Sequence, residues 1–177
     1  MSKNFFIIET SGNDRFVAIH LSSGEMVAEF LPSFQQPQTL LLAIKKLLKN
    51  RKIEFIAIGV GPGRFTATRI GVMTAKSLSF ARTIPLLPFC SLQRFMPKKE
   101  GSFTIAIDAN SRGFYALKGC KKGCVFSFEH PSFQKIMPQD AISTLNLSAL
   151  TQFLLKKFEV EGGVSHDEIR VSYLHTP

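Results

Sequence analysis

Shifted along itself by 99 positions, the sequence meets a related stretch without a gap: Phe5 to Phe30 (FFIIETSGNDRFVAIHLSSGEMVAEF) falls on residues 104 to 129 (TIAIDANSRGFYALKGCKKGCVFSFE). Glu9 falls on Asp108, Phe16 on Tyr115 and Gly24 on Gly123. Each copy reads as a buried strand ending in an acid, a polar turn, and a hairpin with glycine at the same place. Two unrelated apolar hairpins can match in this way by chance. A duplicated lobe is the sharper reading, because each copy then offers a carboxylate at the carboxyl end of its first strand, where ligands of α/β sheets sit.

The remaining pattern alternates strands and helices. Residues 4 to 8 form a strand, Phe16 to Leu21 and Met26 to Leu31 a hairpin, and Phe55 to Val60 a second buried strand. Between them a helix begins near Pro37, with Leu40, Leu41, Ile44, Leu47 and Leu48 on one side and Lys45, Lys46 and Lys49 on the other. A second helix runs from about Thr66 to Arg82, followed by a short strand at Leu86–Leu87, a linker over 97 to 102, strands over 103–108, 113–118 and 124–129, and a helix over 147–158. The fold class is α/β, as two related lobes over 1–99 and 100–177, the second abbreviated.

Composition narrows the setting. The opening MSKNFFIIETS has too short an apolar run for a signal peptide, and no later run approaches the ~18 residues that span a bilayer, so no membrane is expected. Three cysteines, with Cys90 far from Cys120 and Cys124, argue for free thiols in a cytoplasmic protein. Seventeen Phe against no Trp, with a mean hydropathy of +0.11, fit either a Phe-rich core or an apolar surface kept for a partner. The net charge of +9 comes in short separate groups, which suit solvated helix ends and also an approach to RNA or an acidic partner.

Residues 59 to 72, GVGPGRFTATRIGV, look like a phosphate cradle and fail both standard forms. A P-loop closes with Gly-Lys-Ser/Thr, and a dinucleotide fingerprint needs a third glycine where Arg64 stands. A tight turn at Gly61 and Gly63 remains, stiffened by Pro62, with Thr66 placed to cap a helix whose free amides would face an anion; a purely structural turn explains it equally. In the helix beyond, Ala67, Gly71, Thr74 and Leu78, with Ala75 beside them, form a stripe of small residues that lets another helix approach, either a partner's or this chain's own first helix. No HExxH, no GxSxG and no recognised cysteine nucleophile is present, and no metal site or catalytic residue is assigned. Arg112-Gly113-Phe114-Tyr115-Ala116 matches the start of an RNA-recognition RNP1 motif only in part, because Tyr115 stands where a small residue belongs.

Taken together, Ile-Ile-Glu9-Thr10-Ser11, the run Gly61-Pro62-Gly63-Arg64-Phe65-Thr66-Ala67-Thr68-Arg69-Ile70-Gly71, Ala106-Ile107-Asp108-Ala109 and the closing Tyr173-Leu174 resemble the TsaB (YeaZ) family, most specifically in the glycine motif. The resemblance implies an actin-like (ribonuclease H-like) fold of two lobes. It implies a non-catalytic subunit that binds and activates a TsaD-type enzyme in bacterial synthesis of threonylcarbamoyladenosine in tRNA, alongside a TsaE-type ATPase and touching tRNA indirectly. Family pairing runs through the first two long helices, here 37–50 and 66–82, which makes Leu41, Ile44, Leu48, Ala67, Gly71, Thr74, Ala75 and Leu78 the expected interface, open to a homodimer when the partner is missing.

Departures from the family pattern bear on nucleotide. Glu9 replaces an Asp, Arg64 a Ser, Ala67 a Gly, Asn110 an Arg, and Pro37 stands where an acid-His-Ser run is usual. Glu9, Thr10, Ser11, Gly61, Gly63, Arg64 and Asp108 are therefore expected as degenerate phosphate loops or nucleotide neighbours, with no cofactor on the isolated chain and ATP or ADP at the partner junction. Two rivals stay open: an actin-like ATPase or kinase using Glu9 and Asp108, and a basic RNA-binding module.

Overall fold

The computed structural model describes residues 3–32, 37–49, 51–109 and 112–174. The chain runs β1 (Phe5–Glu9), β2 (Phe16–His20), β3 (Met26–Phe30), α1 (Pro37–Leu48), β4 (Phe55–Gly59), α2 (Phe65–Arg82), β5 (Leu86–Phe89), a short 3-10 helix (Ser91–Phe95), β6 (Gly101–Asp108), β7 (Phe114–Lys122), β8 (Val125–Phe128), β9 (Ser132–Gln134) and α3 (Leu147–Glu161). The first five strands form one sheet in the order β3-β2-β1-β4-β5, with β1, β4 and β5 parallel and β2 and β3 antiparallel. Expected and observed elements coincide to within a few residues; the 3-10 helix and β9 were not anticipated.

Strands β1, β2 and β4 (FFIIE, FVAIH, FIAIG) are buried at every position. Such continuous apolar runs occur where both faces of a sheet are covered. Alternation then sorts the side chains: Phe6, Ile8, Ile56 and Ile58 pack under α1 and α2, while Phe5, Ile7, Phe55 and Ala57 pack against α3. The phenylalanines collect mainly on the α3 side. Phe55 stacks between Phe5, 4.5 Å away, and Phe158 of α3, 4.0 Å away.

The second sheet is built on β7, which pairs with β6 along one edge and with β8 and β9 in turn along the other. The two copies of the repeat differ in register. In the first, Glu9 lies opposite Phe16; in the second, Asp108 lies opposite Phe114, and Tyr115 lies opposite Ile107. One residue of slip sends Tyr115 to the face opposite the one Phe16 takes in its copy. The hairpins diverge as well, since β2 and β3 close at His20↔Met26 over residues 21–25, whereas β7 and β8 close at Lys122↔Val125 on Gly123-Cys124.

Residues beyond β9 do not stay with the second sheet. Asn146 starts α3 by accepting from the Ala149 amide at 3.2 Å and donates to the Met96 carbonyl at 2.9 Å, and α3 packs on the first sheet. Val164 pairs with Leu86, and the Ser172 amide donates to the Val60 carbonyl at 2.8 Å. Phe126 and Phe128 border both the α3 core and the core of the second sheet, so one continuous apolar body joins the lobes. No helix among the described residues is long and apolar enough to cross a membrane.

Candidate functional site

The carboxyl ends of β1 and β6 border a cleft of about 360 Å³, lined among others by Ser11, Gly12, Arg64, Arg94, Asp108 and Tyr115. Asp108 is exposed at its edge. Glu9, the acid that the repeat pairs with it, is not available to the cleft. It is 0% exposed, its Oε1 accepts from the Ser11 amide at 2.6 Å, and the same oxygen lies 3.8 Å from Arg94 Nη1.

Arg94 is 1% exposed and donates Nη1 to the Ser91 carbonyl at 2.6 Å and to Ser11 Oγ at 3.3 Å, with its guanidinium 4.3 Å over the Phe95 ring. The extra methylene of Glu9 puts its other oxygen against β4: a Cβ on Gly59 would stand 2.0 Å from Oε2, so only glycine fits there. Glu9 Oε2 and Arg94 Nε have no partner within the described residues. The carboxylate that a phosphate-handling relative would turn towards ligand is here one half of a buried strut between β1 and the 3-10 helix.

The glycine turn is likewise engaged from within. The Gly61 amide donates to Ser91 Oγ at 3.0 Å, the Ser91 amide donates back to the Gly61 carbonyl at 2.9 Å, and the Arg64 amide donates to the Ser11 carbonyl at 2.7 Å. With these amides taken, the turn ties strand ends together; the structural alternative for it holds. Thr66 does not cap α2, which begins one residue earlier with Arg64 as N-cap and no side-chain cap. Arg15, 4% exposed, donates Nε to the Gly12 carbonyl at 2.8 Å, and burial, then the nearby Arg64 charge, pull its guanidinium below the usual arginine range.

The small-residue stripe faces inward, which corrects the expected interface. Gly71 lies against β1: a Cβ there would stand 2.2 Å from Thr10 Oγ1, and that hydroxyl donates to the Ala67 carbonyl at 2.7 Å. Ala75 is 0% exposed, and Ile44 and Leu48 are 4% and 2% exposed in the same core. These four cannot meet a partner without unfolding the sheet's cover. Ala67, Thr74 and Leu78 are half-buried on one flank, while Leu41 stays open at 54%. The outward surface consists instead of Leu41 and Leu42 on α1 with Phe65, Arg69, Met73 and Phe80 on α2; Leu42, Met73 and Phe80 are 68%, 61% and 72% exposed.

The sequence reading missed Arg94, Ser91 and Arg15. The one signal for Arg94 was a lone arginine between apolar residues in Leu92-Gln93-Arg94-Phe95-Met96, a cation that demands a buried acid somewhere. Asn110 and His175 lie outside the described residues. Cys120 and Cys124 are free, as is Cys90, and among the described residues no group of three or more His, Cys, Asp or Glu is placed to hold a metal.

Comparison with known proteins fits this geometry. Residues 36–127, just over half of the chain, match the model of the family described as TsaD: tRNA N6-adenosine threonylcarbamoyltransferase. This chain belongs to that family, in its TsaB (YeaZ) form. It is 29% identical over 130 residues to the tRNA threonylcarbamoyladenosine biosynthesis protein TsaB of Buchnera aphidicola subsp. Acyrthosiphon pisum, spanning 67% of this chain and 58% of that one. It is also 29% identical over 84 residues to an uncharacterized protein of Mycobacterium tuberculosis (strain ATCC 25618 / H37Rv), spanning 48% and 40%. The chain thus covers between two fifths and three fifths of the length of these curated relatives. Among solved structures, YeaZ from Pseudomonas aeruginosa superposes with a TM-score of 0.82 at 18% identity, over 97% of this chain and 100% of that one. A second Pseudomonas aeruginosa structure, described as similar to peptidase YEAZ, gives 0.83 over 98% and 100%, also at 18% identity. The fold is therefore the actin-like one of YeaZ.

Proposed function

We propose that this chain is a non-catalytic subunit of the apparatus that makes threonylcarbamoyladenosine in tRNA, and that it holds and activates a TsaD-type enzyme. The observation that carries the reading is the Glu9–Arg94 strut, with Glu9 0% exposed and Arg94 1% exposed. An acid committed to a buried arginine is not free to organise a metal-bound phosphate, which weighs against the ATPase reading built on Glu9 and Asp108. Family membership and the TsaB name of the Buchnera relative supply the pathway. The partner docks on the open face of α1 and α2, where Leu41, Leu42, Met73 and Phe80 leave apolar area in water. A TsaE-type ATPase joins the larger assembly, nucleotide binds at the subunit junction and not in this chain alone, and tRNA is reached through the enzyme.

Reconstitution tests the reading. The TsaD-type enzyme from the same cells is assayed for threonylcarbamoyladenosine formation with and without this chain. Wild-type protein stimulates the reaction, and Met73→Asp, which folds normally, does not. Full stimulation by Met73→Asp removes the face from the account, and calorimetric binding of Mg-ATP to the isolated chain, weakened by Asp108→Ala, restores the ATPase reading.

A further inference from the structure

Resting on that docking reading, we infer that the open face of α1 and α2 selects an acidic partner surface and disfavours a second copy of this chain. Neither helix contains an Asp or a Glu; α1 carries Lys45 and Lys46, and α2 carries Arg69, Lys76 and Arg82. Among the described residues only Lys46 meets a carboxylate, Glu29 of β3 at 2.7 Å. Arg69 lies 3.7 Å over the Phe65 ring and donates Nε to the Tyr173 hydroxyl at 2.6 Å, and Lys76 donates to the Ile169 carbonyl at 3.3 Å. Those contacts orient the two cations and leave their charge uncompensated.

The closing segment beside α2 does not supply the missing sign. It adds Arg170, and its acids are engaged locally, with Asp167 3.5 Å from His166 and Glu168 accepting from the Ser165 amide at 2.9 Å. Phe80 stands edge-on to that His166 ring at 5.3 Å and remains 72% exposed. Apolar anchors are thus interleaved with cations over one continuous surface. Burial of Leu42, Met73 and Phe80 supplies attraction whatever the partner, so the charges decide which partner. A two-fold pair lays the same patch on itself. Lys45, Arg69, Lys76 and Arg82 of one copy would then approach the same four of the other, whereas a face bearing Asp and Glu between apolar residues answers each of them.

Sedimentation velocity of the chain alone, and interferometry against the TsaD-type enzyme across a salt series, give the test. The chain remains monomeric at low salt, and its affinity for the enzyme falls about tenfold or more as salt rises from ~0.05 M to ~0.5 M. Lys45→Glu with Arg82→Glu lowers affinity at low salt and flattens that dependence. If binding to the enzyme is lost in Met73→Asp but indifferent to salt and to both charge reversals, the acidic-partner inference fails while the docking face stands. If neither Met73→Asp nor the reversals weaken binding, the docking reading itself fails. A wild-type dimer at low salt that Met73→Asp dissociates also overturns the inference.

Discussion

Removing Arg94 is the perturbation with the best-defined consequence. In Arg94→Met the side-chain volume is roughly kept, but Glu9 remains 0% exposed with the Ser11 amide as its one printed hydrogen-bond partner. Breaking a buried ion pair from one side costs about 3–5 kcal/mol, since the surviving charge stays desolvated. For a chain of this size each kcal/mol moves the melting temperature by about 2–4 °C, so the variant melts roughly 10–15 °C below wild type. Replacing both partners, in Glu9→Gln with Arg94→Met, removes the uncompensated charge and lets a glutamine oxygen keep the Ser11 amide; that variant lies within about 1 kcal/mol of wild type. The chain has no Trp, so urea and thermal unfolding are followed by far-UV circular dichroism. A single variant that loses under about 1 kcal/mol, or a double variant no more stable than the single one, refutes the strut.

Three further outcomes follow from the same coordinates. Gly71→Arg destabilises the fold by about 3 kcal/mol or more, measured by urea denaturation, because its Cβ enters the space of Thr10 Oγ1, 2.2 Å away, and the β1 backbone lies behind it. Met73→Asp, at an exposed position, changes stability by no more than about 0.5 kcal/mol in the same assay. Desolvation pushes the Cys90 thiol up to about 11 from 9.0, so the folded form holds its proton where the unfolded chain gives it up. Stability on that account is full below pH 9.0 and lost as pH rises towards about 11, and Cys90→Ala abolishes this part of the alkaline decline; at neutral pH a thiol reagent modifies the exposed Cys124 well before Cys90.

The strands were legible because their chemistry is local. Phe5–Glu9, Phe16–His20 and Phe55–Gly59 are apolar runs bounded by polar turns, and no other element suits them. The orientation of α2 was not legible, because glycine and alanine at 71 and 75 suit close approach of any backbone; contact with Thr10 on β1 settled it, and that contact spans 61 residues of chain between Thr10 and Gly71. The repeat showed the two strand-and-hairpin units and hid their register, because a gap-free alignment is blind to the slip that sets Tyr115 opposite Ile107. Arg94 escaped for a related reason. Its partner lies 85 positions earlier, and nothing in Ser91–Phe95 marks a short 3-10 helix.

The same strut separates the scaffold reading from the enzyme reading. The decisive measurement is the rate of threonylcarbamoyladenosine formation by the assembled complex containing the Glu9→Gln, Arg94→Met variant. A chain whose contribution is its α1–α2 face supports the wild-type rate with this variant, provided it folds. A fall of about a hundredfold or more, in a complex that still assembles, places Glu9 in the reaction and contradicts the account.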